Sequence, residues 1–254
     1  MSRSGSPLAD KVVLVTGSAR RIGAAIAEAF QARGATVAVH YRSSRSDAES
    51  LVSRLNAGRA GSAKAFRADL ADAASFDILP AAVIRKFGRL DVLVNNASSF
   101  YPTPVGEITQ DQFDDLIGSN LRAPLFLAQA AAPELRKRSG LILNIADIHA
   151  LRPLGRHAVY CAAKAALVML TRSLARELGP EIRVNAVAPG PVLWPENGVD
   201  EDLRRRIVAR TALKRPGSPE DVAKAALFFA SEAPFVTGEV LAVDGGRLVG
   251  GEDR

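Results

Sequence analysis

Residues 11–32 read KVVLVTGSARRIGAAIAEAFQA. Val12 to Val15 are apolar throughout, the pattern of a strand buried on both faces. Gly17 and Gly23 punctuate the loop that follows, and Ile22, Ile26 and Phe30 then recur every four residues, one face of a helix. A strand, a glycine-bearing turn and a helix start leave free N–H groups with the helix dipole behind them, a seat for phosphate. A tight turn alone would use the same glycines, and a fold does not prove a ligand. The chemistry has to come from the rest of the chain.

That remainder alternates. Short apolar runs predict strands at Thr36–His40, Ala63–Phe66, Leu90–Val94, Leu141–Ile145, Arg183–Ala186 and Glu239–Val243. Helices are expected over about 46–57, 73–87, 109–138 with a bend or join at Pro124, 159–178, 200–211 and 219–231. Strands alternating with helices imply an α/β fold: a parallel sheet, right-handed crossovers and helices on both faces. Its ligand is expected beyond the carboxyl ends of the strands. The 254 residues suit one domain over 1–254, with a loose lead-in at 1–9 and a substrate-side insertion or lid at about 192–217.

Composition removes several function classes. The formal charge of +6 suits anionic ligands or a solvated basic surface, but no basic tail or basic–aromatic interleaving points to nucleic acid. A lone cysteine, Cys161, makes no internal disulfide and fits a reducing compartment. Three histidines without ligand spacing give no metal site. No apolar signal core or membrane-length run is present, so the expectation is a cytoplasmic protein without a membrane partner.

At the cofactor end, Arg20 and Arg21 put two cations near the phosphate seat. The second strand ends in His40-Tyr41-Arg42-Ser43, where an NAD-selective site would carry an acid. Arg42 and Ser43 suit a 2′-phosphate instead, so NADPH/NADP+ is the expected cofactor; a solvated arginine and a packing tyrosine are the plain alternative. Asp69 suits adenine or a strand-end cap. At the reactive end, Tyr160 and Lys164 are four apart on a helix and share a side. A lysine cation near a phenol lowers its pKa, which suits proton transfer beside hydride transfer. Asn120 suits a water joining Lys164 to solvent, or helix support.

With Thr16-Gly17-Ser18-Ala19-Arg20-Arg21-Ile22-Gly23, Asn95-Asn96-Ala97, Asn120, Tyr160-Cys161-Ala162-Ala163-Lys164 and Pro189-Gly190, the chain resembles the short-chain dehydrogenase/reductase superfamily over almost its whole length. The resemblance implies a doubly wound Rossmann fold with a seven-stranded sheet, usually in a homotetramer. It makes Tyr160 the acid/base and gives Lys164 contacts to the nicotinamide ribose. Cofactor contacts are expected at Gly17, Arg20, Arg21, Ile22, Gly23, His40, Tyr41, Arg42, Ser43, Asp69, Leu70, Asn96, Ala97, Ser98, Tyr160, Lys164, Pro189 and Gly190.

One position departs from the pattern: the usual catalytic serine, thirteen residues before the tyrosine, is Asp147. A carboxyl there joins a proton relay or bonds a nitrogen-rich substrate, unless it marks a damaged site. Together with Arg20, Arg42-Ser43 and the run Asn95 to Pro104, it makes the chain resemble the pteridine reductases. In that resemblance Phe100 sandwiches a pterin against the nicotinamide, and Ser98 and Arg20 hold polar groups. Asp147 and Tyr160 line the reactive edge, and Pro191, Leu193 and Trp194 form a wall or lid. The catalytic set is then Asp147, Tyr160, Lys164 and Asn120. The implied reaction is NADPH-dependent reduction of dihydropteridines, with oxidised pterins and dihydrofolate as further substrates. A ketone or 3-oxoacyl reductase and a non-catalytic nucleotide-binding scaffold are the alternatives. Arg247 reads as a surface arginine, or one reaching a neighbouring subunit.

Overall fold

Aliphatic runs with both faces covered build the sheet. Its strands are β1 (Val12–Val15), β2 (Thr36–Tyr41), β3 (Ala63–Arg67), β4 (Val92–Asn95), β5 (Leu141–Ile145), β6 (Arg183–Pro189) and β7 (Val240–Val243). All neighbours are parallel and the order is β3-β2-β1-β4-β5-β6-β7. This computed structural model describes residues 6–194 and 200–250; residues 1–5 of the expected lead-in, 195–199 of the expected lid and 251–254 lie outside the described residues.

The helices are α1 (Arg21–Ala32), α2 (Arg45–Gly58), α3 (Ser75–Phe87), α4 (Gln110–Ile117), α5 (Ala123–Arg136), α6 (Ala158–Leu178), α7 (Glu201–Ala209) and α8 (Pro219–Ser231). On one face of the sheet α1, α2 and α8 bury Phe30, Leu51 and Phe229. On the other, α3, α5 and α6 bury Leu79, Leu127 and Leu174. The doubly wound arrangement follows, because a parallel sheet needs both faces covered. Strand order reverses between β1 and β4, and Val15 lies beside both Val39 and Val94. The carboxyl ends of β1, β2 and β4 therefore frame one crevice, where such sheets bind ligands.

Three boundaries matter for the site. The expected helix over 109–138 is α4 and α5 joined by a π turn at Gly118–Arg122, with Pro124 in the first turn of α5. β4 starts later than expected and takes in Asn95, and β6 continues to Pro189. Helix α6 is long and apolar enough to cross a membrane, but 56% of its apolar window is buried in this core.

A buried polar chain fixes where α6 sits. Asn95 Nδ2 donates to Asn144 Oδ1 at 2.9 Å, Asn144 Nδ2 to Thr171 Oγ1 at 2.9 Å, and Thr171 Oγ1 to the Leu167 carbonyl at 2.8 Å. These bonds tie β4 and β5 to α6, three turns below Tyr160. Asn144→Ala leaves Asn95 Nδ2 with only a 3.5 Å contact to the Pro124 carbonyl, while Thr171 keeps its bond to Leu167, so the cost is about 1–3 kcal/mol in all. The expected outcome is a lower urea midpoint with an unchanged denaturant slope.

Candidate active site

The turn after β1 is held by side chains. Gly17 has φ +59°, and a Cβ there would stand 2.9 Å from Ala97 Cα. A Cβ on Gly23 would stand 2.6 Å from both Asn96 Nδ2 and the Gly17 carbonyl. Both positions need glycine, one for backbone conformation and space, the other for space alone. Asn96 Nδ2 donates to the carbonyls of Thr16 (2.8 Å) and Gly17 (3.0 Å), while Thr16 Oγ1 accepts from the N–H groups of Asn96 (2.9 Å) and Ala97 (3.0 Å).

His40 completes this clamp. The Gly17 N–H donates to His40 Nδ1 at 3.0 Å, so the proton is on Nε2, which meets the Ala68 carbonyl at 3.1 Å. The ring is 2% exposed, and burial drives its pKa down to about 4, against the pull of Ala68 and Asp69. Both ring nitrogens are thus occupied by backbone.

Beside this turn opens a cleft of roughly 430 Å³. Gly17, Arg20, Arg21, Ile22 and Gly23 line one wall; His40, Tyr41, Arg42 and Ser43 line the end of β2. Asp69 and Leu70 follow β3, and Asn96, Ala97 and Ser98 follow β4. The cleft therefore brings together every cofactor residue expected from the first four strands. Arg42 and Ser43 stand exposed just before the amino end of α2, whereas Tyr41 packs into the core. Asp69 Oδ1 also accepts the Ala71 N–H at 3.0 Å, the strand-end cap. Arg20 Nε lies 3.7 Å from Asp47, and Arg21 Nη2 donates to the Trp194 carbonyl at 3.2 Å.

The sequence reading missed Ser44, Ser119 and Arg122 on the same cleft. Ser119 and Arg122 arrive on the π turn, whose only sequence signal is Pro124. Pro189 and Gly190 are off the cleft wall: Gly190 N–H donates to Val243 O at 3.0 Å, packing the exit of β6 on β7. Pro191 accepts the Gly217 N–H at 3.1 Å, Leu193 lines the cleft, and the Arg204 guanidinium lies 5.2 Å from the Trp194 ring.

At the reactive end, Tyr160 Oη donates to Asp147 Oδ2 at 2.8 Å, and Asp147 Oδ1 accepts the His149 N–H at 2.7 Å. Burial and then the Asp147 carboxylate push the phenol pKa well above its ordinary value. This corrects the expectation that Lys164 would pull the phenol down. Lys164 Nζ donates to the Ile145 carbonyl at 2.9 Å and lies 5.8 Å from the Tyr160 ring centre. Burial lowers the lysine to about 8, opposed by Asp147. Asn120 donates to the carbonyls of Ser99 and Leu116, both at 3.0 Å, and its Oδ1 is buried with no partner among the described residues, an acceptor suited to a bridging water. Phe100, 49% exposed, stacks on His157 and meets Tyr160 edge-to-face, each at 4.8 Å.

A seven-stranded Rossmann sheet with a phosphate-type turn and a Tyr–Lys pair at its mouth defines a nucleotide-dependent oxidoreductase. A profile described as enoyl-(acyl carrier protein) reductase matches residues 17–247. Pteridine reductase 1 of Leishmania tarentolae is 39% identical, over 92% of this chain and 95% of that protein. The 3-oxoacyl-(acyl-carrier-protein) reductase of Staphylococcus aureus is 36% identical over 94% and 98%. A solved Serratia marcescens short-chain dehydrogenase/reductase superposes with TM-score 0.90 at 37% identity, over 95% of this chain and 99% of that one. A metagenomic blue fluorescent protein solved with NADPH gives TM-score 0.89 at 39% identity, over the same shares. The chain belongs to the short-chain dehydrogenase/reductase family.

Two outcomes follow. The folded state protonates His40 near pH 4 and the unfolded chain near 6.5, so unfolding takes up a proton between them. About 3 kcal/mol of stability, present above pH 6.5, is lost by pH 4; urea unfolding across that window should show a shallower pH dependence in His40→Gln than in wild type. Asp147→Asn removes a negative charge from beside the phenol, so Tyr160 should ionise at lower pH, read as phenolate absorbance in an ultraviolet titration.

Proposed function

We propose that this reductase uses NADPH to convert a dihydropteridine to its tetrahydro form, with oxidised pterins and dihydrofolate as further substrates. The observation that carries the reading is the Asp147 carboxylate 2.8 Å from the Tyr160 hydroxyl. A simple carbonyl oxygen needs only hydrogen-bond donors around it. A carboxylate there meets a substrate that itself donates, as the N–H groups of a pteridine do. The naming of the Leishmania relative as a pteridine reductase supports the same substrate class.

The cofactor is NADPH. Gly17 and Gly23 leave room for its pyrophosphate at the start of α1, and Arg42 and Ser43 suit its 2′-phosphate. When bound, it supplies the hydride. Tyr160 and Lys164 would meet its ribose, and Pro189 and Gly190, beyond the cleft wall, would border its nicotinamide end. Tyr160, held protonated by burial and by Asp147, gives its proton to the ring nitrogen next to the reduced carbon. Asp147 then accepts a hydrogen bond from the substrate, and Lys164 offsets the charge left on the phenol. Asn120 holds the water that returns a proton. Phe100 covers the far face of the flat ring, Ser98 and Arg20 form its polar rim, and Pro191, Leu193 and Trp194 wall the side. Residues 192–217 act as the lid of a single catalytic domain, and the working form is a cytoplasmic homotetramer.

The similarity to 3-oxoacyl reductases favours a second reading, an NADPH-dependent oxoacyl or ketone reductase with Asp147 in place of serine. NADPH oxidation with dihydrobiopterin, dihydrofolate and oxidised biopterin, set beside a simple ketone, separates the two. The expected result is pteridine turnover, with kcat falling about 10²- to 10⁴-fold in Tyr160→Phe. Ketone turnover without pteridine turnover selects the second reading.

A further inference from the structure

Three arginines gather on the segments that leave the carboxyl ends of neighbouring strands. Ile145 of β5 lies beside Val187 of β6, and Pro189 of β6 lies beside Val243 of β7. Arg152 follows β5, five residues beyond Asp147. Arg210 closes α7 on the segment after β6, and Arg247 sits in the turn after β7. Backbone contacts lock the last two together. Leu213 N–H donates to the Gly245 carbonyl at 3.0 Å, Gly250 N–H donates to the Gly246 carbonyl at 2.8 Å, and a Cβ on Gly250 would lie 2.9 Å from the Arg210 carbonyl.

Three other arginines on the segment after β6 have acids: Arg205 meets Asp202 at 2.6 Å, Arg215 meets Asp221 at 3.6 Å and Arg204 meets Glu201 at 3.9 Å. Among the described residues, Arg152, Arg210 and Arg247 have no ion-pair partner. The Asp244 carboxylate, in the same turn, is taken up by the N–H groups of Gly246 (2.8 Å) and Leu248 (2.7 Å). Arg247 is half-buried rather than the surface arginine expected from sequence; burial, then the charges of Arg210 and Arg152, lower its pKa. Converging like charges repel, and an anion that enters converts that cost into attraction. Planar guanidinium forks match carboxylate and phosphate oxygens in particular.

Position decides which anion. The cofactor phosphates belong to the ends of β1 and β2, whereas this cluster lies at the carboxyl ends of β5–β7, the side on which Asp147 follows β5. We propose that Arg152, Arg210 and Arg247 form a subsite for an anionic tail of the substrate, carboxylate or phosphate, distinct from the cofactor's phosphate seat. This rests on the placement of the reactive end under the proposed function, but not on the choice of pteridine over ketone.

Two substrate pairs test it: dihydrofolate against dihydrobiopterin, where the charged member carries glutamyl carboxylates, and acetoacetyl-coenzyme A against ethyl acetoacetate, where it carries phosphates. In R247Q, and in R152Q at an exposed position outside the C-terminal turn, KM for the charged member should rise about tenfold with the neutral member unchanged. The pair that responds identifies the anion. The subsite is overturned if both members change alike, if neither changes, or if the wild-type enzyme rejects the charged member while turning over the neutral one. Turnover of neither pair defeats the substrate reading alone. Calorimetry of triglutamate and of tripolyphosphate on the NADPH-loaded protein then decides: about tenfold weaker binding of either in R210Q/R247Q supports the subsite, and equal binding or none to wild type removes it.

Discussion

The turn at Thr16 and Gly17 spends its backbone polar groups on the protein itself. Thr16 N–H goes to the Val94 carbonyl and Gly17 N–H to His40, while Asn96 donates to both carbonyls. Strands β1, β2 and β4 are thereby knotted at one point, just where the strand order reverses. With the turn satisfied internally, the first N–H groups of α1 remain available to a phosphate. The seat is organised before any ligand arrives, so little conformational freedom has to be lost on binding.

Electrostatics at the other end of the crevice run on a different plan. Tyr160 and Lys164 are both buried, and burial disfavours the charged form of each. Beyond burial, the Asp147 carboxylate keeps the proton on the phenol and opposes the fall of the lysine pKa. A family pattern with serine at position 147 has no such negative charge. The acid strength of the same Tyr–Lys pair therefore depends on one substitution outside the pair.

Much of this architecture is legible in the chain. Val12–Val15, with no polar residue, and Leu141–Ile145, interrupted only by Asn144, announce buried strands, and β1 and β5 have the expected ends. Gly17 and Gly23 announce the turn because nothing larger fits. What stayed hidden depends on contacts between distant residues. His40 reads as a cofactor contact by its place at a strand end, yet its ring faces Gly17 and Ala68. The direction of the Tyr160 shift needed its burial and then the distance to Asp147, neither of which sequence spacing supplies. Arg247 looks solvent-bound until the packing of the C-terminal turn on the end of α7 is known.

The π turn between α4 and α5 has a consequence for how this fold tolerates change in length. A π turn carries one residue more than the α-helical path it interrupts. Deleting one residue between Gly118 and Arg122 would remove that extra residue and let α4 and α5 fuse into a regular rod with their core faces still in register. The side chains inside the turn would be repositioned, Asn120 on the Ser99 carbonyl among them, while Leu116 of α4 and Leu127 of α5 kept their places in the core. Insertions and deletions here are thus read by the reaction centre before they are felt by stability, the reverse of what a surface loop permits.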